Sequence, residues 1–295
     1  MFEKVLVPTD FSEHAKKTIV CLTRIPGVRE VVLQHVINAT HYTKRGWTHE
    51  TEIENAKIQM DEEKKVLERL GFSVKVKIDV ITSGSVSAAI LTAAECEKVS
   101  FIIMGSRGGG QIRGFLLGSV SADVLRQGKT YLLIIRHSLA KELNGAVFDR
   151  FCPGIFSRVL CPTDFSNAAQ TAVSMLKRIE GIGEIHVLHV VTKGETHDEI
   201  EAHMSEAKER LGEIKTYLSM SGLRVETHIR LGHPTHEITA LADEVESSLI
   251  LMSSHGNGML AEILVGSTTL GVAIHAKRPL MVIRTPAQLQ KQASS

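Results

Sequence analysis

An excess of charge of one sign is missing from this chain. Its 295 residues hold 34 basic and 33 acidic side chains, a formal net charge of +1. So even a balance gives no electrostatic case for nucleic acid or an anionic membrane as partner. Long apolar runs are missing too, and none approaches the roughly 18–20 residues that span a bilayer. The amino terminus runs almost directly into a strand pattern without the layout of a signal peptide, so the cytoplasm is the expected compartment. Cysteine is scarce, at four residues, with no C-x-x-C pair and no zinc spacing with histidine. Cys21, Cys96 and Cys161 read as small core hydrophobes. Cys152 falls in a linker, with a reactive thiol or a pairing partner as the alternatives to a bland position. Also absent are G-x-x-x-x-G-K-[ST], which excludes a P-loop, and G-x-G-x-x-G after the first strand, which disfavours a Rossmann dinucleotide site. No nucleophile–base pair stands out, so a catalytic residue is not expected.

What is present is said twice. Residues 5–12 read Val-Leu-Val-Pro-Thr-Asp-Phe-Ser and residues 159–166 read Val-Leu-Cys-Pro-Thr-Asp-Phe-Ser. Asp10 and Asp164 are 154 residues apart, whereas Gly108 and Gly256 are only 148 apart. Six residues are therefore missing from the second copy. The His35–Val36 and Gly84 landmarks place the loss between residues 36 and 84, in the stretch containing His41 to Glu50. A period this long duplicates a domain rather than a solenoid unit. The expected division is residues 1–137, a linker at 138–156, residues 157–285 and a polar tail at 286–295.

In the first copy, β-branched runs at residues 4–7, 30–36, 73–78, 101–104 and 131–135 alternate with helical patterns at 12–22, 50–70, 86–97 and 119–126. The second copy repeats the order, with strands at 158–161, 184–190, 224–229, 249–252 and 280–283 and a long helix at 195–220. Such alternation implies right-handed crossovers and a parallel sheet covered on both faces. Ligands of these sheets bind beyond the carboxyl ends of the strands, where the strand order reverses. The Pro-Thr-Asp turn and the loop Gly105-Ser-Arg-Gly108 both follow strands directly, so they share that edge.

Glycines let backbone approach a ligand closely, and the start of a helix near Gly118 and Ser119 offers free N–H groups to phosphate. Ser119 and Ser121 add hydroxyls, and Arg107 and Arg113 add positive charge. The competing reading is a plain glycine turn. Recurrence of the spacing, of the neighbouring aspartate and of the helix-starting Gly-Ser favours a phosphate site.

Gly105, Gly108, Gly118 and Ser119 fit G-x2-G-x9-G-[ST]. With Val-Pro-Thr-Asp after the first strand and His35-Val36 ending the second, residues 2–136 and 157–284 resemble the universal stress protein family in tandem form. The resemblance implies an open α/β sandwich of the adenine nucleotide alpha hydrolase-like kind, with five parallel strands ordered 3-2-1-4-5 in each copy. It implies an adenine nucleotide, ATP or AMP, with Mg2+ able to accompany a triphosphate although the loop offers few carboxylates to hold it. Asp10 and Val36 would hold the adenine end, and Gly105 and Arg107 would lie along the ribose and phosphates. Gly108, Gly118, Ser119, Val120 and Ser121 would wrap the phosphate tail, with Pro8, Thr9, Gly84 and Met104 completing the site. It also implies pairing of domains through their last strands, here residues 131–135 beside 280–283 as a pseudo-dimer within the chain, with a homodimer of chains as a further step.

The second copy keeps Pro162, Thr163, Asp164, Val190, Gly256, Gly266 and Ser267, and Thr268 and Thr269 still offer hydroxyls. It replaces Gly105 with Ser253, Arg107 with His255, Arg113 with Ala261 and Gly114 with Glu262. Each altered charge is worth about 1 kcal/mol near a surface, so a triphosphate should bind the second site more weakly; neutral drift with both sites filled is the alternative. No metal site is expected. His186 and His189 are three apart on a strand and point to opposite faces, and His233 and His236 read as a solvated loop pair. The function expected is a nucleotide-binding regulatory protein of the stress response with an unknown protein partner. A slow ATP hydrolase or phosphotransferase, and a chaperone-like protein with incidental nucleotide, are the alternatives.

Overall fold

A computed structural model describes residues 2–40, 50–106, 117–136, 154–192, 197–256, 265–285 and 288–289. The chain folds as two compact units, Met1–His137 and Ser138–Ser295.

The first unit runs β1 (Lys4–Pro8), α1 (Glu13–Cys21), β2 (Glu30–Asn38), α2 (Glu50–Arg69), β3 (Ser73–Ile81), α3 (Val86–Cys96), β4 (Phe101–Gly105), α4 (Ser119–Gln127) and β5 (Tyr131–Ile135). All strand pairs are parallel, and the order is β3-β2-β1-β4-β5. The second unit runs β6 (Arg158–Pro162), α5 (Asn167–Leu176), β7 (Glu184–Val191), α6 (His197–Ser219), β8 (Arg224–Leu231), α7 (Pro234–Glu244), β9 (Leu249–Ser253), α8 (Ser267–His275) and β10 (Leu280–Ile283). Its order, β8-β7-β6-β9-β10, is the same third-second-first-fourth-fifth winding, again parallel throughout.

The central strands are buried on both faces and therefore read as unbroken apolar runs. Val5, Leu6, Val7, Ile102, Ile103, Leu133 and Ile134 form the middle of the first core, and Val159, Leu160, Leu251, Met281 and Val282 that of the second. The outer strand β3 is instead exposed or half-buried along its whole length and carries Lys75 and Lys77, and such charges discourage edge-to-edge pairing. Because the chain leaves β1 toward β2 and returns to its other side at β4, a crevice opens beyond the carboxyl ends of these strands. The same reversal lies between β7 and β9 around β6.

Strand register divides the six-residue difference between the copies. Val36 pairs with Asp79 and Val190 with Arg230, so β3 and β8 correspond at an offset of 151. The buried faces of α2 (Ala56, Met60, Glu63, Leu67) and α6 (Ala207, Leu211, Ile214, Leu218) match at that same offset. Three residues are therefore lost before α2 and three at the end of the strand, where Leu231 leads straight into Gly232 while its counterpart Val80 is followed by Ile81, Thr82 and Ser83 before Gly84. The single deletion expected around residues 41–50 is corrected to two.

Cysteine burial also departs from expectation. Cys21 and Cys161 are buried, but Cys96 is exposed at the end of α3. Burial pushes the Cys161 thiol up to about 12, so it is an inert core group. Cys21 is disulfide-bonded rather than a free core thiol. Cys152 lies outside the described residues.

Candidate functional site

The repeated Pro-Thr-Asp-Phe-Ser is a folded device. Pro8 ends β1, and Phe11 turns the chain with φ 62°, a left-handed conformation rare for a bulky residue. Three hydrogen bonds hold the turn. The Phe11 N–H donates to Thr9 Oγ1 at 3.1 Å, and the Ser12 N–H and hydroxyl donate to Asp10 Oδ1 at 3.1 and 2.5 Å. Ser12 Oγ then caps α1 by accepting from the Ala15 N–H. The Phe11 ring lies 4.3 Å from the ring of His35, whose Nδ1 is 2.9 Å from the Thr9 carbonyl oxygen. The second copy repeats every part. Phe165 has φ 61°, Ser166 donates twice to Asp164, and the Phe165 ring stacks on His189. Asp10 and Asp164 thus spend one carboxylate oxygen on the turn and hold the carboxylate at the crevice.

The second wall comes from β4 and α4. Gly118 is the N-cap of α4 and supplies no side chain, and its N–H donates to the Ser106 carbonyl at 2.7 Å. Gly266 does the same for α8, with its N–H on the Ser254 carbonyl. By contrast α1, α3 and α5 are capped by the hydroxyls of Ser12, Ser85 and Ser166. The first turns of α4 and α8 therefore keep N–H groups uncapped, with the positive end of the helix dipole toward the crevice.

In each unit these elements line a cavity. Pro8, Thr9, Asp10, Val36, Met104, Gly105, Val120 and Ser121 line the first, with Ala15, Gln34, His35, Val86 and Ile90. Gly84, Gly118 and Ser119 are not in its wall. Gly84 makes the left-handed turn before α3 with φ 83°, and Gly118 and Ser119 begin α4. Arg107, Gly108 and Arg113 lie outside the described residues. In the second unit Pro162, Thr163, Asp164, Val190, Ser253, His255, Gly256, Gly266, Ser267, Thr268 and Thr269 share one wall with Met252, Ile238 and Leu188.

Several roles change. Ser121 is buried and its hydroxyl donates to the Gly105 carbonyl at 2.9 Å, so it ties α4 to the end of β4 rather than offering a free donor. Thr269 makes the same bond to the Ser253 carbonyl. Gly256 is required by close approach, because a Cβ there would stand 2.1 Å from Asp164 Oδ2. The Ser253 hydroxyl turns onto the His255 carbonyl at 2.8 Å. Half-buried His255 has its pKa lowered, first by burial and then by the Arg284 guanidinium, with Asp164 opposing. It is neutral at pH 7 and does not restore the charge of the arginine it replaces. His233 and His236 are not a loop pair, since α7 begins at Pro234 with His233 as its N-cap.

Comparison with known proteins decides the lineage. The sequence profile described as the universal stress protein family matches residues 1–136 and again 156–284. The chain belongs to the universal stress protein family. A universal stress protein of Methanocaldococcus jannaschii is 34% identical over 158 residues, 46% of this chain and 96% of that protein. One from Synechocystis is 25% identical over 260 residues, 88% of this chain and 80% of its own length. The crystal structure of a universal stress protein from Archaeoglobus fulgidus superposes with a TM-score of 0.68 at 28% identity, covering 96% of this chain and 97% of that one. The tandem universal stress protein layout thus extends over residues 1–136 and 156–284. Among the described residues no helix is long and apolar enough to cross a membrane.

Two polar residues in or beside the first cavity escaped the sequence reading. Gln34 is fully buried in the first cavity wall. Its Nε2 donates to Asp79 Oδ2 at 2.7 Å and to the Ala89 carbonyl at 3.2 Å, which leaves Oε1 buried without a partner. Leu188 holds the same place in the second unit, because Gln34 pairs with Lys77 where Leu188 pairs with His228. Glu63 lies beneath the turn, accepting from Thr9 Oγ1 at 3.2 Å with its Oε2 buried and unpaired. Burial raises its pKa to about 7 against the lowering effect of Thr9. Gln34 interrupts the apolar run of β2, whereas Glu63 is one charge among many in α2, and only tertiary placement marks either.

Proposed function

We infer that the first unit binds an adenine nucleotide, ATP in preference to AMP, and that the protein acts as a nucleotide-responsive regulator in the cytoplasm rather than a fast enzyme. One observation carries this reading. The aspartate turn after β1, Val36 of β2 and the glycine end of β4 meet at one cavity beside a helix start with uncapped N–H groups. That combines an apolar slot for a base, a carboxylate for ribose hydroxyls and a positive helix end for phosphate. Arg107, Gly108, Gly118 and Ser119 take the phosphate tail in this reading, and Mg2+ accompanies it through the phosphates themselves.

The unpaired Gln34 Oε1 suits the amino group of adenine, since a buried acceptor left empty is expensive and a ligand N–H satisfies it. Gln34→Leu, which copies the second unit, is expected to weaken ATP binding about tenfold, near the upper end of a single hydrogen bond's net worth. Calorimetry on the two proteins measures it, and unchanged affinity would remove Gln34 from the site. The second unit keeps the frame but presents Leu188, Ser253 and neutral His255, and it binds nucleotide more weakly. Pairing of the units through their last strands, and of two chains, remains part of the proposed organisation. Identifying and counting the nucleotide that copurifies with the full chain tests the reading directly. Sustained ADP release faster than about 1 per second, within the ordinary enzyme range, would replace the regulator with a hydrolase.

A further inference from the structure

A cluster of metal-ligating side chains lies on β7 and β8, near the amino ends of these strands and outside the nucleotide cavity. His186 and Glu226 are register partners on the two neighbouring parallel strands, and His228 follows Glu226 by two residues on the same face. His186 Nδ1 is 3.0 Å from His228 Nε2 and 3.7 Å from Glu226 Oε2. The three ligand atoms all lie within 4.8 Å of one another. His186 is only 5% exposed, while Glu226 is exposed and free to adjust.

We propose that His186 Nδ1, His228 Nε2 and the Glu226 carboxylate form a binding site for a divalent transition-metal ion of the zinc class, with the fourth position open to water or an external donor. Two imidazole nitrogens bound to tetrahedral zinc at about 2.0–2.1 Å stand about 3.3 Å apart, close to the spacing seen here. Two nitrogens and one carboxylate make a borderline donor set, which favours zinc, copper, nickel or cobalt over magnesium and calcium.

The surroundings are built as such sites are. His186 Nε2 is buried with no hydrogen-bond partner, and Glu184 Oε2 stands 3.5 Å from it. A carboxylate facing the far nitrogen of an imidazole holds the proton there and leaves the near lone pair for metal. Glu184 is itself anchored by Arg158 Nε at 3.0 Å, and Arg158 also reaches the Val245 carbonyl at 2.7 Å. On the other side Arg230 pairs with Glu244, so neither cation is free to occupy the ligand position.

The first unit lacks the arrangement. By strand register its residues at these places are Val32, Lys75 and Lys77, and the lysines pair with Glu97 and Asp79. An apolar residue and two ammonium groups cannot hold a cation, so the site belongs to one copy alone. It is separate from the nucleotide reading and survives if that reading fails.

The test uses the full chain, freed of metal and nucleotide, titrated with Zn2+ against a chromophoric chelator and separately with Co2+ to read the absorption of a tetrahedral site. One Zn2+ per chain is expected at micromolar or tighter affinity, undisturbed by excess Mg2+. His228→Gln and Glu226→Gln replace partly exposed residues, and each should weaken Zn2+ by more than the roughly 10–100-fold that loss of an outer-shell partner brings. Glu184→Gln should fall within that range. The double variant His233→Gln/His236→Gln should bind as the parent does. Failure to take up Zn2+ at micromolar metal, or uptake that both His228→Gln and Glu226→Gln leave unchanged, overturns the site.

Discussion

Glu63→Gln is expected to stabilise the first unit by about 2 kcal/mol at pH 8 and to leave its stability nearly unchanged at pH 4. The folded-state pKa of Glu63 is about 7, against 4.5 for the free side chain. The folded form therefore holds the proton more tightly than the unfolded form, and the native state loses stability as pH rises from about 4.5 to about 7, then levels off. At about 1.4 kcal/mol per pH unit the gap caps the effect at about 3 kcal/mol. The glutamine amide inherits the unpaired position of Oε2 and gives some of this back. For a unit of this size, about 2 kcal/mol corresponds to a rise of roughly 4–8 °C in melting temperature. Thermal melts of the two proteins at pH 4, 6 and 8 should diverge only as pH rises. Parallel curves would mean that the carboxyl is not buried in solution. Ile214 stands at the corresponding place of α6 in the second unit, which should therefore lack this pH dependence.

The second large effect concerns the altered site. Ser253→Gly with His255→Arg restores the first glycine and the lost cation of the β9 loop, and it is expected to tighten ATP binding by the second unit about tenfold. One near-surface charge is worth up to about 1 kcal/mol, and the remainder comes from removing a side chain at the crevice. AMP, which lacks the outer phosphates, should gain far less. Titration of the double variant in a background with Asp10→Asn silencing the first unit separates the two. Equal gains for ATP and AMP would place the effect where Ser253 crowds the part common to both nucleotides, instead of on the outer phosphate path.

The fold was legible because several central strands announce their ends. Pro8, Pro162 and Gly105 stop central strands, Gly71 stops a helix, and Ser12 and Ser166 start helices through hydroxyl caps. Strand β3 runs to Ile81, three residues beyond the expected end, because pairing with β2 continues through Asn38. The frame of the site was legible from repetition: Asp10, Gly105 and their counterparts gather where the motifs placed them. Hydroxyl roles were not, since a serine after a glycine loop reads equally as a phosphate donor or as the tie that Ser121 makes to Gly105. Gln34 sits in the apolar run of β2 and Glu63 in a charged run of α2, and neither shows anything unusual until its partners are known. His186 and His228 are 42 residues apart. Only the register of two parallel strands brings them together, and periodicity within one strand pointed away from a metal.

Titration of the intact chain with ATP, alongside Asp10→Asn and Asp164→Asn, tests the central claim most directly. Asparagine keeps the oxygen that accepts from Ser12 or Ser166 and so preserves the turn, but it removes the charge offered to the ligand. The account predicts one tight site per chain, lost in Asp10→Asn and retained in Asp164→Asn. Two equal tight sites, loss in Asp164→Asn alone, or no binding by the parent chain would contradict it.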